Sequence, residues 1–197
     1  LSIQTSVIYF LKSQVPLPPQ STDDLLEMLR NGKRMVNIQS AYHLFGWSGA
    51  FGGLLTDENE RCIADQTGWV GAFNYLLELK SAGAVFESDY PNAEELFLVG
   101  EADMLLQGSW EMGQYASFLG DNLGVAALPN GPSGPSSPLI TVSGLYLNPN
   151  SVNQEAALEV MDYLSGQVAQ QTFANFGYYL PARNDNQSGT ALLEAVS

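Results

Sequence analysis

The apolar and polar positions of the chain first predict a strand followed by a capped helix. Aliphatic and aromatic residues over 4–11 are typical of a buried strand, which ends at a Pro-rich turn. Ser21 or Thr22 can then cap a helix, DDLLEMLR, whose acidic first turn suits the helix dipole. Asn31-Gly32 offers a left-handed end to this helix, and the segment RMVNIQ follows as the next predicted strand.

The segment 66–80 shows the clearest helical periodicity, and Gly83 ends it. Its apolar residues recur at the spacing of one helix face and are Trp69, Val70, Phe73, Leu76 and Leu77. We expect this face to point into the core. Trp69 and Phe73, together with Phe97 of a later helix, are therefore predicted core residues.

The rest of the chain alternates between helices and strands. AYHLFGWSGAFGGLL predicts an irregular, aromatic, Gly-rich helix, and NAEELFLVG predicts a short helix capped by Asn92 and ended by Gly100. ADMLLQ predicts a strand, after which Ser109 can cap the helix WEMGQYASFLG. Strands LGVAALP and LITVSGLYLN flank a loop rich in Pro and Gly, and helices NQEAALEVMDYLSG, VAQQTFANFG and TALLEAV follow. This alternation predicts an α/β layer structure.

Composition narrows the classes of partner. The 197 residues are 45% hydrophobic and 14% charged, which is typical of a globular protein, and no apolar run is long enough to predict a membrane span. The net charge of -14 leaves no basic stripe for phosphates, so nucleic acids and anionic membranes are poor partners. Cys62 is the only cysteine of the sequence, so the cysteine content does not indicate whether the protein works in an oxidising or a reducing compartment. The first residues lack the pattern of a signal peptide, and we expect them to belong to the fold.

Residues for metal or nucleophilic chemistry are scarce. His43 is the only histidine, so the usual zinc sites cannot be assembled, and we expect neither a metal nor another cofactor. GWSGA departs from the G-x-S-x-G elbow of hydrolases because Ala50 stands where the second glycine would be. The residues still leave open a carbohydrate-active enzyme in which Glu111 acts with Asp103 or Asp121.

Aromatic residues lie just beyond several predicted strands. Tyr42 and Trp47 follow RMVNIQ, Trp110 follows ADMLLQ, and Tyr178-Tyr179 precedes a Leu-Pro pair. Ligands of α/β sheets bind beyond the carboxyl ends of the strands, and flat rings can stack on the C–H faces of a sugar. Sugar hydroxyls also need donors and acceptors, and the candidates are Asn37, Gln39, Gln107 and Glu111. Position alone leaves open whether Trp110 faces a ligand or the core.

Five motifs follow one another along the chain: SVIYFLKSQVPLPPQSTDDLLEML, FLVGEADMLLQGSW, GVAALPNG, ITVSGLYLN and FGYYLPAR. In this order they resemble motifs of extracellular solute-binding proteins of the maltose-binding type, which deliver ligands to ABC importers. FLVGEADMLLQGSW is similar to the family's strand that leads into a Gly-Pro/Ser-Trp turn. SVIYFLKSQVPLPPQSTDDLLEML resembles its first crossover strand, although Phe10 stands where the family usually has Asn. GVAALPNG, ITVSGLYLN and FGYYLPAR resemble a strand ending in Leu-Pro, the second crossover and a later loop. The likeness covers nearly the whole chain.

The resemblance implies a fold, a domain organisation and a set of site residues. The fold would be a class II periplasmic-binding-protein-like α/β structure, represented mainly by the second lobe. Residues 1–11 and 139–147 would be the hinge crossovers, 12–138 the second lobe, 148–180 helices of the first lobe, and 181–197 a return segment with a terminal helix. Trp110 would stack on the ligand and Tyr42 would form an aromatic wall. Ser143-Gly144 would line the hinge, and Tyr179 would reach the ligand from its loop.

The family also implies a function and partners. Two lobes would close on a neutral sugar or polyol, and the closed form would meet an ABC-importer permease outside the cytoplasm, with a lipoprotein anchor. Family members have a first-lobe segment ahead of the first crossover. We therefore expect that segment or another chain to cover the apolar faces of 151–176, which include Leu158, Val160, Met161, Leu164 and Phe173. The alternative role is a ligand-sensing domain of a receptor or kinase.

Overall fold

A computed structural model describes residues 2–183, 185–186 and 190–196. Its strands are β1 (Ser2–Gln4), β2 (Ser6–Leu11), β3 (Met35–Ile38), β4 (Val85–Glu87), β5 (Met104–Gly108), β6 (Leu123–Ala126), β7 (Thr141–Ser143) and β8 (Leu180–Pro181). Its helices are α1 (Thr22–Arg30), α2 (Ala41–Leu44), α3 (Trp47–Ala50), α4 (Trp69–Ser81), α5 (Tyr90–Leu98), α6 (Met112–Leu119), α7 (Gln154–Ser165), α8 (Gln167–Gly177) and α9 (Ala191–Glu194). Single 3-10 turns cover Ser109–Glu111 and Gly120–Asn122.

The larger sheet has five strands in the order β4-β3-β5-β2-β6. β3 runs parallel to β4 and β5, whereas β2 runs antiparallel to β5 and β6. β3, β4, β5 and β6 therefore end at one edge of the sheet, and β2 begins there, with Ser6 opposite Gly108. We call this edge, marked by Ile38, Glu87, Gly108, Ala126 and Ser6, the carboxyl edge.

Helices cover both faces of this sheet, so its inner strands β5 and β2 are buried on both sides. In β2, Val7, Tyr9 and Leu11 face one core and Ile8 and Phe10 face the other. The first core also receives residues of α5 and α6, and the second receives residues of α1 and α4. Burial on both faces explains why β2 reads as a continuous apolar run rather than as an alternating one. The predicted α/β layer structure is confirmed.

A second sheet of three short strands, in the order β7-β1-β8, joins the first through Thr5, which separates β1 from β2. The predicted strand 4–11 is therefore two strands, which belong to different sheets. The predicted strand 139–148 is shorter than expected, because only Thr141–Ser143 pairs, with β1. The two segments that are predicted to be crossovers thus pair with each other next to the carboxyl edge.

Capping was predicted correctly for α1 and incorrectly for two other helices. The Ser21 hydroxyl accepts from the backbone N–H of Asp24 at 3.0 Å, and the Asp24 carboxylate accepts from the backbone N–H of Ser21 at 3.0 Å. Asp89, not Asn92, precedes α5, and the Asn92 amide donates to Glu87 at 2.6 Å. Ser109 caps no helix, because its hydroxyl accepts from the backbone N–H of Thr5 at 3.2 Å.

The buried face of α4 differs from the predicted one. Val70, Phe73 and Leu77 are exposed by 69%, 57% and 63%, whereas Ala72, Tyr75 and Leu79 are buried. Tyr75 sets this orientation: its hydroxyl donates to the carbonyl of Thr22 at 3.1 Å, and its ring packs on Trp47 at 5.2 Å. The core assignment of Phe73 is therefore wrong. Trp69 is half-buried, and Phe97 is a core residue as predicted.

The helices α7 and α8 lie outside the two cores over most of their surface. None of the residues of α7 is buried, and α8 buries Ala169, Gln170 and Ala174. Leu158 and Val160 are exposed as expected, whereas Met161, Leu164 and Phe173 are half-buried. Among the described residues, no helix is both long and apolar enough to cross a bilayer.

Candidate binding site at the carboxyl edge of the sheet

Four rings from three parts of the chain meet at the carboxyl edge. Trp110 follows β5, Tyr42 and His43 lie on α2 just after β3, and Tyr90 begins α5 just after β4. The centroid of the Trp110 ring lies 5.9 Å from that of Tyr42 and 5.7 Å from that of His43. His43 in turn lies 5.3 Å from Tyr42 and 5.9 Å from Tyr90. We call these four residues the aromatic cluster.

The ring of Trp110 lies over the backbone of Gly108. A Cβ atom at position 108 would come within 2.2 Å of three carbons of the indole, so only glycine leaves room for this arrangement. Trp110 remains half-buried, which leaves part of an aromatic surface accessible at the edge of the sheet. Such a surface can stack on an apolar ligand face.

A hydrogen-bond network fixes the end of β5 beneath this ring. The buried Gln107 amide donates to the Glu94 carboxylate at 2.9 Å, and its oxygen accepts from the backbone N–H of Gly108 at 2.8 Å. The Tyr9 hydroxyl donates to the carbonyl of Gly108 at 2.8 Å. Both polar groups of the Gly108 backbone are therefore bound from within the protein, directly beneath the Trp110 ring.

Glu111 brings a carboxyl group to the same place. Burial raises its pKa, the nearby Glu94 carboxylate raises that pKa further, and a hydrogen bond with the Trp110 side chain lowers it in part. A carboxyl group so placed can accept hydrogen bonds from the hydroxyls of a ligand. The neighbouring negative charge of Glu94 disfavours an anionic ligand such as a phosphate.

His43 is neutral at physiological pH because burial lowers its pKa to about 4. The side chain is fully buried, and its Nδ1 lies 2.8 Å from the Ser6 hydroxyl, within hydrogen-bond distance. Its Nε2 has no hydrogen-bond partner. His43 therefore belongs to the support of the aromatic cluster rather than to its accessible surface.

Tyr42 connects the aromatic cluster with both crossover segments. Its hydroxyl lies 3.3 Å from the carbonyl oxygen of Gln4 and 3.2 Å from that of Leu139, to either of which it can donate. It also accepts from the hydroxyl of Thr141 at 3.3 Å. Tyr42 is half-buried, so its ring still reaches the surface beside Trp110.

The structure brings Trp110, Tyr42 and Glu111 together, but it places two other predicted ligand contacts in the core. Trp47 is fully buried between strands and helices, against Tyr75, because α3 turns its side chain inward. Asn37 is also fully buried, because the middle of β3 is covered on both faces. The prediction that these two residues face a ligand is wrong for this structure. Gln39 is exposed, beside Leu44, Phe73 and Phe86.

The remaining predicted site residues lie in the crossover region and the loop after α8. Ser143 ends β7 opposite Ser2, and both Ser143 and Gly144 are exposed. Tyr179 is 43% exposed and leans over Gly177, whereas the Tyr178 ring lies beside Gly113 of α6, where an added Cβ atom would meet it at 3.5 Å. Their placement in a binding site stays a prediction.

Three residues of the site were not predicted as site residues: His43, Tyr90 and Glu94. Tyr90 could have been found, since it follows β4 as Trp110 follows β5. As the only histidine of the sequence, His43 suggests a metal ligand or a catalytic base rather than a support for other rings. Glu94 gives no signal in the sequence, because only the packing of α5 beside β5 brings it to Gln107.

The carboxylate pairs of the enzyme alternative are not formed. Asp103 precedes β5 and accepts from the backbone N–H of Arg34 at 2.8 Å, with the Arg34 guanidinium 3.8 Å away. At about 3.3 Å per strand residue it lies roughly 17 Å from Gly108, at the opposite edge of the sheet. Asp121 precedes β6 and lies at that opposite edge too. Within the described residues, no group of three or more His, Cys, Asp or Glu side chains could hold a metal ion.

Known structures share this architecture. The GacH receptor of Streptomyces glaucescens, solved unliganded and with acarbose, superposes with a TM-score of 0.82 at 21% identity over 98% of this chain and 56% of that one. The maltose/maltodextrin-binding domain MalE of Bdellovibrio bacteriovorus, bound to maltotriose, gives a TM-score of 0.79 at 23% identity over the same shares. The predicted class II periplasmic-binding-protein fold is confirmed.

Sequence comparison leads to the same group of proteins. The maltotriose-binding protein of Pyrococcus abyssi is 24% identical over 189 residues, which are 89% of this chain and 42% of that protein. The chain thus spans about half the length of its relatives. The family model for bacterial extracellular solute-binding proteins matches residues 2–192. Because that match includes nearly every residue, the chain belongs to the family of bacterial extracellular solute-binding proteins.

Proposed function

We propose that the protein binds a neutral sugar or polyol at the carboxyl edge of its larger sheet and delivers it to an ABC importer. The observation that carries this proposal is the half-buried indole of Trp110, supported on Gly108 and flanked by Tyr42 and Glu111. A ring for stacking and a carboxyl group for hydroxyls together suit a carbohydrate.

Relatives point to the class of sugar to try first. The Pyrococcus abyssi relative is a maltotriose-binding protein, the Bdellovibrio bacteriovorus domain was solved with maltotriose, and GacH was solved with acarbose. An oligosaccharide also fits a stacking platform that is open at the sheet edge. We take maltotriose as the first probe.

Ligand binding would close two lobes. Residues 12–138 would form one lobe, 1–11 and 139–147 would connect it to the other, and 148–180 would belong to that other lobe, with 181–197 as the return segment. The exposed apolar side chains of α7 and α8, among them Leu158, Tyr163, Val168 and Phe176, support this assignment, because a surface of that kind is normally covered. Binding of the ligand would then favour the closed conformation of the two lobes, which is the conformation that the permease receives. The protein would work outside the cytoplasm, held by a lipid anchor.

A binding role is favoured over catalysis by the geometry of the carboxyl groups. Asp103 and Asp121, the two candidates for a second catalytic acid beside Glu111, do not lie at the carboxyl edge of the sheet. Glu94, which does lie near, already accepts a hydrogen bond from Gln107.

The test is calorimetric titration of the intact protein with maltotriose, next to other neutral sugars and polyols and to a sugar phosphate. We expect saturable binding of a neutral sugar and no release of reducing ends from an oligosaccharide. Turnover of the sugar, or binding of the phosphate alone, would overturn the proposal.

A further inference from the structure

Tyr42 and His43 make two kinds of contact at once. Each ring packs against Trp110, with centroids 5.9 and 5.7 Å from the indole. Each side chain also contacts the crossover region through its polar atom. Because the two residues are consecutive on the four-residue helix α2, any movement of that helix moves both sets of contacts together.

His43 reaches the first crossover. Its Nδ1 lies 2.8 Å from the hydroxyl of Ser6, the first residue of β2. Both side chains are buried, so water does not compete for this contact. Ser6 is also the residue that pairs with Gly108 under the Trp110 ring. A shift of the chain at Ser6 would therefore reach Trp110 by two routes, through Gly108 and through His43.

Tyr42 reaches both crossovers. Its hydroxyl lies within 3.3 Å of Gln4 on β1 and of Leu139 and Thr141 on the second segment. The two segments also bind each other directly, since the Thr5 hydroxyl donates to the carbonyl of Leu139 at 3.1 Å. The hydrogen bonds of the Tyr42 hydroxyl thus depend on the relative position of the two chain segments. The ring that carries this hydroxyl also touches Trp110.

We propose that Tyr42 and His43 form a coupling pair, which ties the orientation of the Trp110 ring to the conformation of the two crossover segments. The inference rests on the proposed function, because it assumes that Trp110 contacts the ligand and that the crossovers bend when lobes close. Hinges are short segments that absorb changes in backbone angles. With the coupling pair in place, bending would turn the ring toward the ligand, and stacking of the ligand would favour the bent state. His43 is then a positioning residue that never touches the ligand.

The experiment removes the crossover contacts and keeps the rings. Tyr42→Phe deletes only the hydroxyl, and Ser6→Ala deletes only the partner of His43, so neither variant removes a ring from the aromatic cluster. Thr5→Val is the matched control, because it deletes the other hydrogen bond to the Leu139 carbonyl between the same segments and leaves that carbonyl available to the Tyr42 hydroxyl. The intact protein is labelled with 5-fluorotryptophan, and the ¹⁹F line of Trp110 is identified as the one lost in Trp110→Phe.

We expect Tyr42→Phe and Ser6→Ala to shift the Trp110 line in the ligand-free protein and to weaken maltotriose binding by about fivefold or more, in the range of typical coupling between sites. Thr5→Val should leave the Trp110 line in place. If both variants keep the wild-type line and affinity while melting normally, the coupling pair is refuted. A shifted line in a protein that binds no sugar would support the coupling and overturn the proposed function instead, so the two failures are distinguishable.

Discussion

The indole of Trp110 rests on the backbone of Gly108, two residues earlier in the chain, so closely that a β-carbon at position 108 would lie 2.2 Å from the ring. The backbone angles of Gly108 are extended, with φ at -74° and ψ at 147°, which any residue can adopt. Position 108 therefore requires glycine because the Trp110 ring leaves no room for a larger residue. This requirement arises from contact and not from backbone conformation.

We predict that Gly108→Ala displaces the Trp110 ring and weakens sugar binding by about tenfold or more, equivalent to about 1.4 kcal/mol. Gly113→Ala is the matched control, because a Cβ there would meet its nearest atoms at 3.5 Å, an ordinary contact distance. Calorimetric titration measures the affinities, and thermal melting checks the fold. Equal affinities for the two variants would show that the position of the indole on Gly108 does not matter to the ligand.

Substituting two tryptophans should separate a ligand surface from a core. Trp110→Ala should abolish the response to sugar with a small loss of stability, since the ring is half-buried. Trp47→Ala should lower the free energy of unfolding by about 3–5 kcal/mol, because it leaves a large cavity in the core. Chemical denaturation and sugar titration of both variants check this prediction. If Trp110→Ala lowers the free energy of unfolding as much as Trp47→Ala does, Trp110 is a core residue.

The buried His43 should make the protein sensitive to acid. Its pKa is about 4 in the folded protein and 6.5 when exposed, so below pH 6.5 the unfolded state takes up a proton that the native state does not. Stability is therefore lost as the pH falls from 6.5 to 4, by about 3 kcal/mol in total.

His43→Asn removes this titration while offering an amide to Ser6 in place of Nδ1. Denaturant unfolding at several pH values should show that the variant loses less stability than the wild type over this interval, whatever its stability at pH 7. Parallel curves for the two proteins would contradict the assignment of His43 as a buried neutral ring.

We predict that Glu111 lowers the stability of the folded protein at neutral pH and contributes to sugar binding. Its pKa lies above the ordinary 4.5, so near and above that pH the native state binds more protons than the unfolded state, and stability falls as the pH rises through the raised pKa. Glu111→Gln removes this partly buried charge. We expect a higher melting temperature at pH 7, a difference that shrinks below pH 4.5, and weaker sugar binding. A variant that is stabilised and binds as tightly as the wild type would exclude Glu111 from the site.

The sequence predicts the order of elements and the position of Trp110 directly after a strand, because both depend on local patterns. Strand β2, the cap at Ser21 and the place of Trp110 after β5 each follow from neighbouring residues. Asn37 and Trp47 show where such patterns fail. Both follow the rule that polar and aromatic residues near strand ends face ligands, yet packing from more distant helices covers them. Local patterns do not identify Glu94 as a site residue, because only a contact between distant parts of the chain brings it to Gln107.

Helix α4 shows the same limit and allows a direct test. Apolar residues also lie outside the predicted face, among them Tyr75 and Leu79, so periodicity alone selects the face that carries Leu77 rather than the one that the fold buries. The hydrogen bond from Tyr75 to Thr22 selects the latter, which leaves Leu77 63% exposed and Leu79 fully buried.

Leu77→Ala and Leu79→Ala are therefore a matched pair, with the same chemistry on one helix. We expect Leu79→Ala to lower the free energy of unfolding by about 2–5 kcal/mol, the cost of a cavity in a packed core. Leu77→Ala should change it by no more than about 0.5 kcal/mol, as is usual for surface positions. Urea denaturation of the two variants measures both values. A large loss in Leu77→Ala would mean that the exposed face of α4 is covered in the intact protein, and that the apolar pattern had marked an interface.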